Sequence, residues 1–451
     1  MVWPQEGVKK RVLLISHYFP PLNQIGGLRL AFWAKYLSRE GYLVDVITSD
    51  KRNIPEPKDI NFSFPDGVGV YEVPADLPGL VNFLKKADAT AALGGSENAG
   101  SFAKSVLKGA RGVALKLLGS LATPTWFYMG AFLRTARELM AKRDYDVLIT
   151  SYGPGVTHLV GYWLKRRQPS LIWLADFRDP WFDNPIGSAS PPFSLLEKYL
   201  ERLCANSADI LTVVSDAMKE IYRARYPQKC VVTLPNGFDP DEHLDWKERL
   251  LSVQNVPWDT SSAPNVEILY TGTIYPGYRD PTPLLRALRS LRSQHPGAQI
   301  KVVFVGARAF HVLELAQALG VQDSVEYLGH VPRNEAIALQ KRSSALLLLG
   351  NPHKKSNFVL TGKIFEYLVS GRPILALGFS DDSEIARLLR EWGVGINCGT
   401  DERCIQGFLD TLLRLGYWPD YKPNIEAIEN FSYEKIIKKL IGLLEGGCEE
   451  N

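Results

Sequence analysis

Short apolar runs alternate with helix-period segments along most of the chain. Residues 11–16 read as a buried strand, followed by His17-Tyr18-Phe19-Pro20-Pro21 and a loop containing Gly26-Gly27. A helical pattern covers 28–39, stops at Gly41, and gives way to a second strand at 43–48. Strand, glycine-containing loop, helix and strand form the βαβ unit of a doubly wound sheet. The alternation resumes with strands predicted at 147–150, 171–175, 210–214 and 230–234, and a helix at 193–206. A second series predicts strands at 266–271, 300–305, 325–328, 345–349, 373–377 and 394–396. Helices near 281–294, 310–319, 332–342, 361–370, 381–392 and 401–415 fill its gaps. Continuously apolar strands suit parallel sheets covered on both faces. The pattern predicts an α/β protein with two Rossmann-like domains in tandem. Ligands of such sheets bind at the carboxyl ends of the strands, which makes the cleft between two facing domains the expected site.

Two segments interrupt the alternation. Between 80 and 120 stand Lys85, Lys86, Lys104, Lys108, Arg111 and Lys116, against Asp88 and Glu97 alone, a local balance of +4. Within it Leu107, Ala110, Ala114, Leu117, Leu118 and Leu121 share one helical face, while Lys104, Lys108 and Arg111 fall on another. Read functionally, the basic amphipathic stretch 101–122 touches an anionic membrane; read plainly, it is a core helix. The other segment, 239–264, is polar, carries Pro240, Pro257 and Pro264, and reads as an interdomain connection. A helix at 433–444 closes the chain. The expected domains are 1–255, with 425–451 packing back on it, and 256–424.

Composition narrows the function classes. The 451 residues carry 52 Lys+Arg against 49 Asp+Glu, and 45% are hydrophobic. This is a globular composition, and a formal charge of +3 is too small for a dedicated nucleic-acid binder. No apolar stretch reaches the ~18 residues of a spanning helix. The five cysteines, Cys204, Cys230, Cys398, Cys404 and Cys448, form no Cys-x-x-Cys pair. Their odd number argues against a disulfide framework or zinc site and for a reducing, cytoplasmic setting.

Candidate chemistry lies at the strand ends. Gly26-Gly27 permits close backbone approach before a helix, but neither a Gly-x-Gly-x-x-Gly nor a Walker pattern is present. In Asp176-Phe177-Arg178-Asp179-Pro180-Trp181 two carboxylates flank an arginine, a set that binds sugar hydroxyls or forms a loop salt bridge. Thr271-Gly272-Thr273 ends the first strand of the second series, and Arg279 follows before a helix, where a cation suits an anionic ligand rather than the helix dipole. Thr361-Gly362-Lys363 opens another helix with Glu366 one turn on, a phosphate-and-ribose arrangement or an ordinary exposed Lys–Glu pair. His17 sits at the end of the first strand, and no His/Cys/Asp spacing resembles a metal site.

Together these residues resemble the GT-B fold glycosyltransferases of family 4. The resemblance rests on His17–Pro21 with Gly26-Gly27, on 176–181, on Ala208-Asp209-Ile210 to Val214-Ser215, and on Pro235-Asn236-Gly237-Phe238-Asp239. It continues through Tyr270-Thr271-Gly272-Thr273, Gly329-His330-Val331-Pro332 and 363–371 with Pro373. It implies a GT-B architecture whose C-terminal helix returns to the first domain, and a hexosyltransferase taking sugar from a nucleotide-diphosphate donor of UDP or GDP type. It further implies retention, no metal and no cofactor, with a lipid-linked or glycan acceptor in cell-surface polysaccharide or glycolipid assembly. Residue by residue, it implies donor binding by Gly27, Gly272, Thr273, Arg279, His330, Val331, Thr361, Gly362, Lys363 and Glu366. The catalytic set would be Asp179, Arg279 and Lys363, and His17, Asp176 and Arg178 would lie on the acceptor side. The chain departs from the family pattern at Phe358, where a first motif glutamate is usual, and at Thr273, where an arginine is usual. A GT-B sugar-nucleotide epimerase, a non-catalytic nucleotide-sugar binder and a membrane scaffold are the alternatives.

Overall fold

The structure, a computed structural model, describes the chain except residues 1–9, 53, 55–56, 78–122, 185–188, 253–264, 275–278, 298, 307–310, 352–359 and 448–451. The basic stretch 101–122 and Phe358 therefore lie outside the described residues. Two compact units form, Met1–Pro235 with Ile437–Asn451 and Asn236–Ile436.

The first unit holds a seven-stranded parallel sheet in the order β3-β2-β1-β4-β5-β6-β7. Its strands are β1 (Arg11–Ser16), β2 (Leu43–Ser49), β3 (Val68–Val73), β4 (Val147–Ser151), β5 (Ile172–Phe177), β6 (Ile210–Val213) and β7 (Cys230–Thr233). The interior strand β1 pairs on both sides, Val12 lying opposite Val44 and Val147, so the strand order reverses between β1 and β4. Burial on both faces explains why β1 and β4 carry runs such as Val12–Ile15 and Val147–Ile149. The strand β3 escaped the sequence pattern because it is the sheet edge and half-buried. The helices Met129–Met140, Val156–Arg167 and Asp216–Arg225 also went unanticipated.

The second unit holds a six-stranded parallel sheet in the order β10-β9-β8-β11-β12-β13. These strands are β8 (Asn265–Thr271), β9 (Gln299–Val305), β10 (Val325–Gly329), β11 (Ala345–Leu349), β12 (Ile374–Leu377) and β13 (Gly395–Gly399). The strand order again reverses at the first strand, β8. Helices are capped by side chains, Ser383 accepting from the Ala386 amide and Asp401 from those of Arg403 and Cys404.

Two expectations are corrected. The connection predicted at 239–264 contains the helix Trp246–Ser252, whose Trp246 and Leu250 pack with Leu269, Ile364 and Phe365 in the second core. Polar neighbours conceal that i, i+4 stripe in the sequence, and the units divide at Pro235/Asn236. Cysteine pairing is the other correction. Cys398 and Cys404 form a disulfide across the turn from β13 into the helix Glu402–Leu415, which brings their Cα atoms to 5.5 Å. Cys230 is also disulfide-bonded, and Cys204 is a buried free thiol.

The final helix, Tyr433–Gly446, ends in the first unit. There Lys439 donates to the Thr233 carbonyl, and Glu445 accepts from Lys10 and Tyr42. Among the described residues no helix is long and apolar enough to cross a membrane.

Candidate functional site

In the second unit a glycine ends or directly follows every described strand: Gly272, Gly306, Gly329, Gly350, Gly378 and Gly399. Two of these are required by close approach. Gly272 has φ +119°, and a Cβ there would lie 2.2 Å from Lys363 Nζ. Gly306 has φ +134°, and its Cβ would lie 2.4 Å from the Gly272 carbonyl oxygen. The carboxyl edge of the sheet thus exposes backbone rather than side chains where Lys363 crosses it.

Lys363 and Arg279 converge at this edge. Lys363 Nζ donates to the Tyr270 hydroxyl at 2.9 Å and lies 4.2 Å from that ring's centroid. Arg279 Nη1 donates to the Thr273 carbonyl at 2.6 Å and to the same hydroxyl at 3.2 Å. Burial, reinforced by the Arg279 charge, pulls the Lys363 ammonium well below its ordinary pKa. Among the described residues no carboxylate forms an ion pair with Lys363. Two cations on one phenol oxygen repel each other, and an anion placed between them relieves both.

Glu366 stands one turn beyond Lys363. Its Oε1 accepts from Arg333, which also donates to Glu242 at 3.0 Å. Burial alone would raise the Glu366 carboxyl; Arg333 holds it below the usual range. The neighbouring His243 is pushed down to about 4 by burial and stays neutral, and its Nδ1 has no hydrogen-bond partner. Arg333 and Glu242 were missed by sequence reasoning, and Tyr270 was read only as part of the Tyr270–Thr273 motif, without a role. Arg333 had a signal, since it directly follows Gly329-His330-Val331-Pro332. Thr361 and Gly362 are half-buried immediately before the short helix Lys363–Leu368. His330 is exposed after the edge strand β10, and Val331 packs on the core. The structure thus gathers Gly272, Thr273, Arg279 and Lys363 into one cluster, with Glu366 beside it.

The first unit places its candidates differently. Asp176 lies within β5, which runs on to Phe177, rather than in the predicted loop. It is fully buried in an ion pair with Arg29, whose Nε and Nη2 donate at 3.2 and 2.9 Å. Ser151 and Thr212 donate to the same carboxylate, so it serves the fold rather than facing a ligand. Arg29 also donates to the Leu234 and Pro235 carbonyls, both at 2.7 Å. Arg178 Nε donates to the Tyr152 carbonyl, and a Cβ on Gly26 would overlap its guanidinium. Asp179 lies 3.9 Å from Arg178 and is more exposed. Gly27 faces the Tyr18–Phe19 backbone, where a Cβ would lie 2.9 Å from the Phe19 nitrogen. His17 is buried, hydrogen-bonded to Ser49 and edge-on to Tyr18 and Tyr128. Beside them Lys51, another group missed in the sequence, donates to Thr48 Oγ1, and burial pushes its ammonium down to about 8.

Residues 29–242 match the family model Glycosyltransferase Family 4. A curated relative, an uncharacterized glycosyltransferase of Haemophilus influenzae, is 24% identical over 254 residues. That match spans 55% of this chain and 64% of the relative's length. Among solved structures, sucrose-phosphate synthase from Thermosynechococcus elongatus aligns over 97% of this chain and 99% of its own, with TM-score 0.62 and 16% identity. A glycosyltransferase from Rickettsia africae aligns over 98% and 100%, with TM-score 0.57 and 14% identity. At these identities the structural likeness concerns the fold, two Rossmann-like domains of GT-B type.

Proposed function

For a chain whose residues 29–242 match the Glycosyltransferase Family 4 model, we propose transfer of a sugar from a nucleotide-diphosphate donor to an acceptor hydroxyl. The observation that carries this reading is the pair of cations, Lys363 and Arg279, sharing the Tyr270 hydroxyl at the glycine edge of β8. A diphosphate placed there accepts from both, and the Gly272–Thr273 turn lets its oxygens approach the backbone. Glu366, oriented by Arg333, accepts a ribose hydroxyl. Thr361 and Gly362 line the same approach, and His330 and Val331 frame the base, of UDP or GDP type.

In the transfer step the nucleoside diphosphate leaves the anomeric carbon with the bonding pair. The acceptor oxygen bonds to that carbon and passes its proton to the departing diphosphate. Negative charge grows on the leaving group, so fixed cations aimed at it lower the barrier without reorganising. These cations supply the charge that a metal supplies elsewhere; activity unchanged by a chelator is the expected outcome. Asp179, half-exposed beside Arg178, positions the sugar or acceptor, while His17 and Gly27 shape that side of the first unit. Product with retained anomeric configuration, on a lipid-linked or glycan acceptor of surface-polysaccharide assembly, is the finer reading. A place in the cytoplasm at the membrane face then rests on the nucleotide donor alone, since the Cys398–Cys404 disulfide removes the argument from reduced cysteines.

A thermal-shift screen of UDP, GDP, ADP and their sugars tests the donor. A nucleotide at 100 times its Kd stabilises the protein by about 2.7 kcal/mol, enough to stand out from the other bases. The same nucleotide should give little shift with Lys363→Ala or Arg279→Ala. Equal shifts in wild type and both variants would remove these residues from the donor site.

A further inference from the structure

The helix Phe193–Ser207 is turned inside out. Its two acids, Glu197 and Glu201, are each 1% exposed, while Leu195 is 65%, Tyr199 60% and Leu196 43% exposed. The buried glutamates have a structural task. Glu201 accepts from the Phe182 amide and the Tyr226 hydroxyl, both at 2.8 Å, and Glu197 accepts from the Ala189 amide, so together they anchor the segment after β5. That anchoring explains the glutamates, not the leucines. Any polar residue at 195, 196 and 199 would leave those hydrogen bonds intact and avoid exposing apolar surface.

The helix beside it, Val156–Arg167, extends the same character. It exposes Trp163, at 48%, and contains no acidic residue. Exposed cations accompany the apolar groups on both helices: Lys198 and Arg202 on one, Arg166 and Arg167 on the other. Neither helix presents an exposed carboxylate. An apolar face with aromatic rings and an unopposed basic border is the composition of a surface that lies in a lipid headgroup layer. A second copy of this chain fits poorly, because a twofold contact sets this patch against the same patch, and neither helix offers an exposed carboxylate to the other copy's cations.

We propose that the outward faces of Phe193–Ser207 and Val156–Arg167 dock the first unit on a bilayer containing anionic lipid. Leu195, Leu196, Tyr199 and Trp163 enter the headgroup–acyl boundary, and the four cations pair with lipid phosphates. The contact is separate from sugar transfer, so vesicles without nucleotide test it alone.

The full chain is sedimented with vesicles of phosphatidylcholine alone or with about a third phosphatidylglycerol. Binding is expected to the anionic vesicles only. It should fall roughly tenfold or more in Lys198→Glu/Arg202→Glu and in Leu195→Ser/Tyr199→Ser. Both variants should keep the wild-type melting temperature and nucleotide-induced shift; a gentler pair, Lys198→Gln/Arg202→Gln, replaces any that does not. Equal binding by wild type and variants overturns the proposal, as does no binding by wild type. Binding lost only on neutralising Lys104, Lys108 and Arg111 overturns it in favour of that segment. A wild-type dimer in solution that the same variants dissociate overturns it in favour of self-association.

Discussion

Lys363 shows how one buried side chain ties the site to pH. Its ammonium is depressed by burial and by Arg279, and a bound diphosphate would raise it again. The folded, ligand-free value is therefore the lower one. Above it and below the ordinary ~10.4, binding takes up a proton. Affinity for the diphosphate should weaken as pH rises through that window. Calorimetry in buffers of different ionisation enthalpy should register net proton uptake in wild type and none in Lys363→Met. Arg29 is the structural counterpart. Its pair with Asp176 is fully buried, and Ser151, Thr212, Leu234 and Pro235 complete the network. Arg29→Ala leaves the carboxylate buried and unpaired, an expected loss of about 3–5 kcal/mol in denaturant unfolding. The role of Lys363 toward a diphosphate was legible in its motif, whereas that of Arg29 was not visible in the sequence. Asp176 was noticed for its neighbours Arg178 and Asp179, yet its partner stands 147 residues earlier.

At the scale of elements, periodicity did well where a strand or helix has one strong pattern. The strand β1 and the helix Glu402–Leu415 fall within a few residues of expectation. Weak patterns failed for identifiable reasons. The edge strand β3 buries little, and the helix Trp246–Ser252 hides its two anchors among Lys247, Glu248 and Arg249. Because Leu250 is fully buried in the second core, Leu250→Ala should cost about 2–5 kcal/mol of stability by chemical denaturation. An ordinary linker would lose a few tenths of that. The inverted helix Phe193–Ser207 was found by its apolar content, but which face turned inward depended on the loop its glutamates anchor.

For the whole molecule, the donor prediction concerns one unit. Nucleotide binding should slow hydrogen exchange at 271–273 and 361–368, while β4 and β6 of the first unit exchange as before. Protection confined to the first unit would place the nucleotide there instead. The sequence by itself determined the doubly wound class, most of the strands and the helices of the second series in their order, the glycine-marked strand ends, and the candidates Gly272, Arg279, Lys363 and Glu366. These follow from local periodicity and backbone demands that neighbouring residues express directly. Only the tertiary structure decided that Lys363 and Arg279 meet on Tyr270, that Arg333 holds Glu366, that Asp176 belongs to Arg29, and that Cys398 joins Cys404. Such partners are chosen by how the chain crosses the carboxyl edge of each sheet and by what burial leaves uncompensated, and neither is written in the spacing of residues.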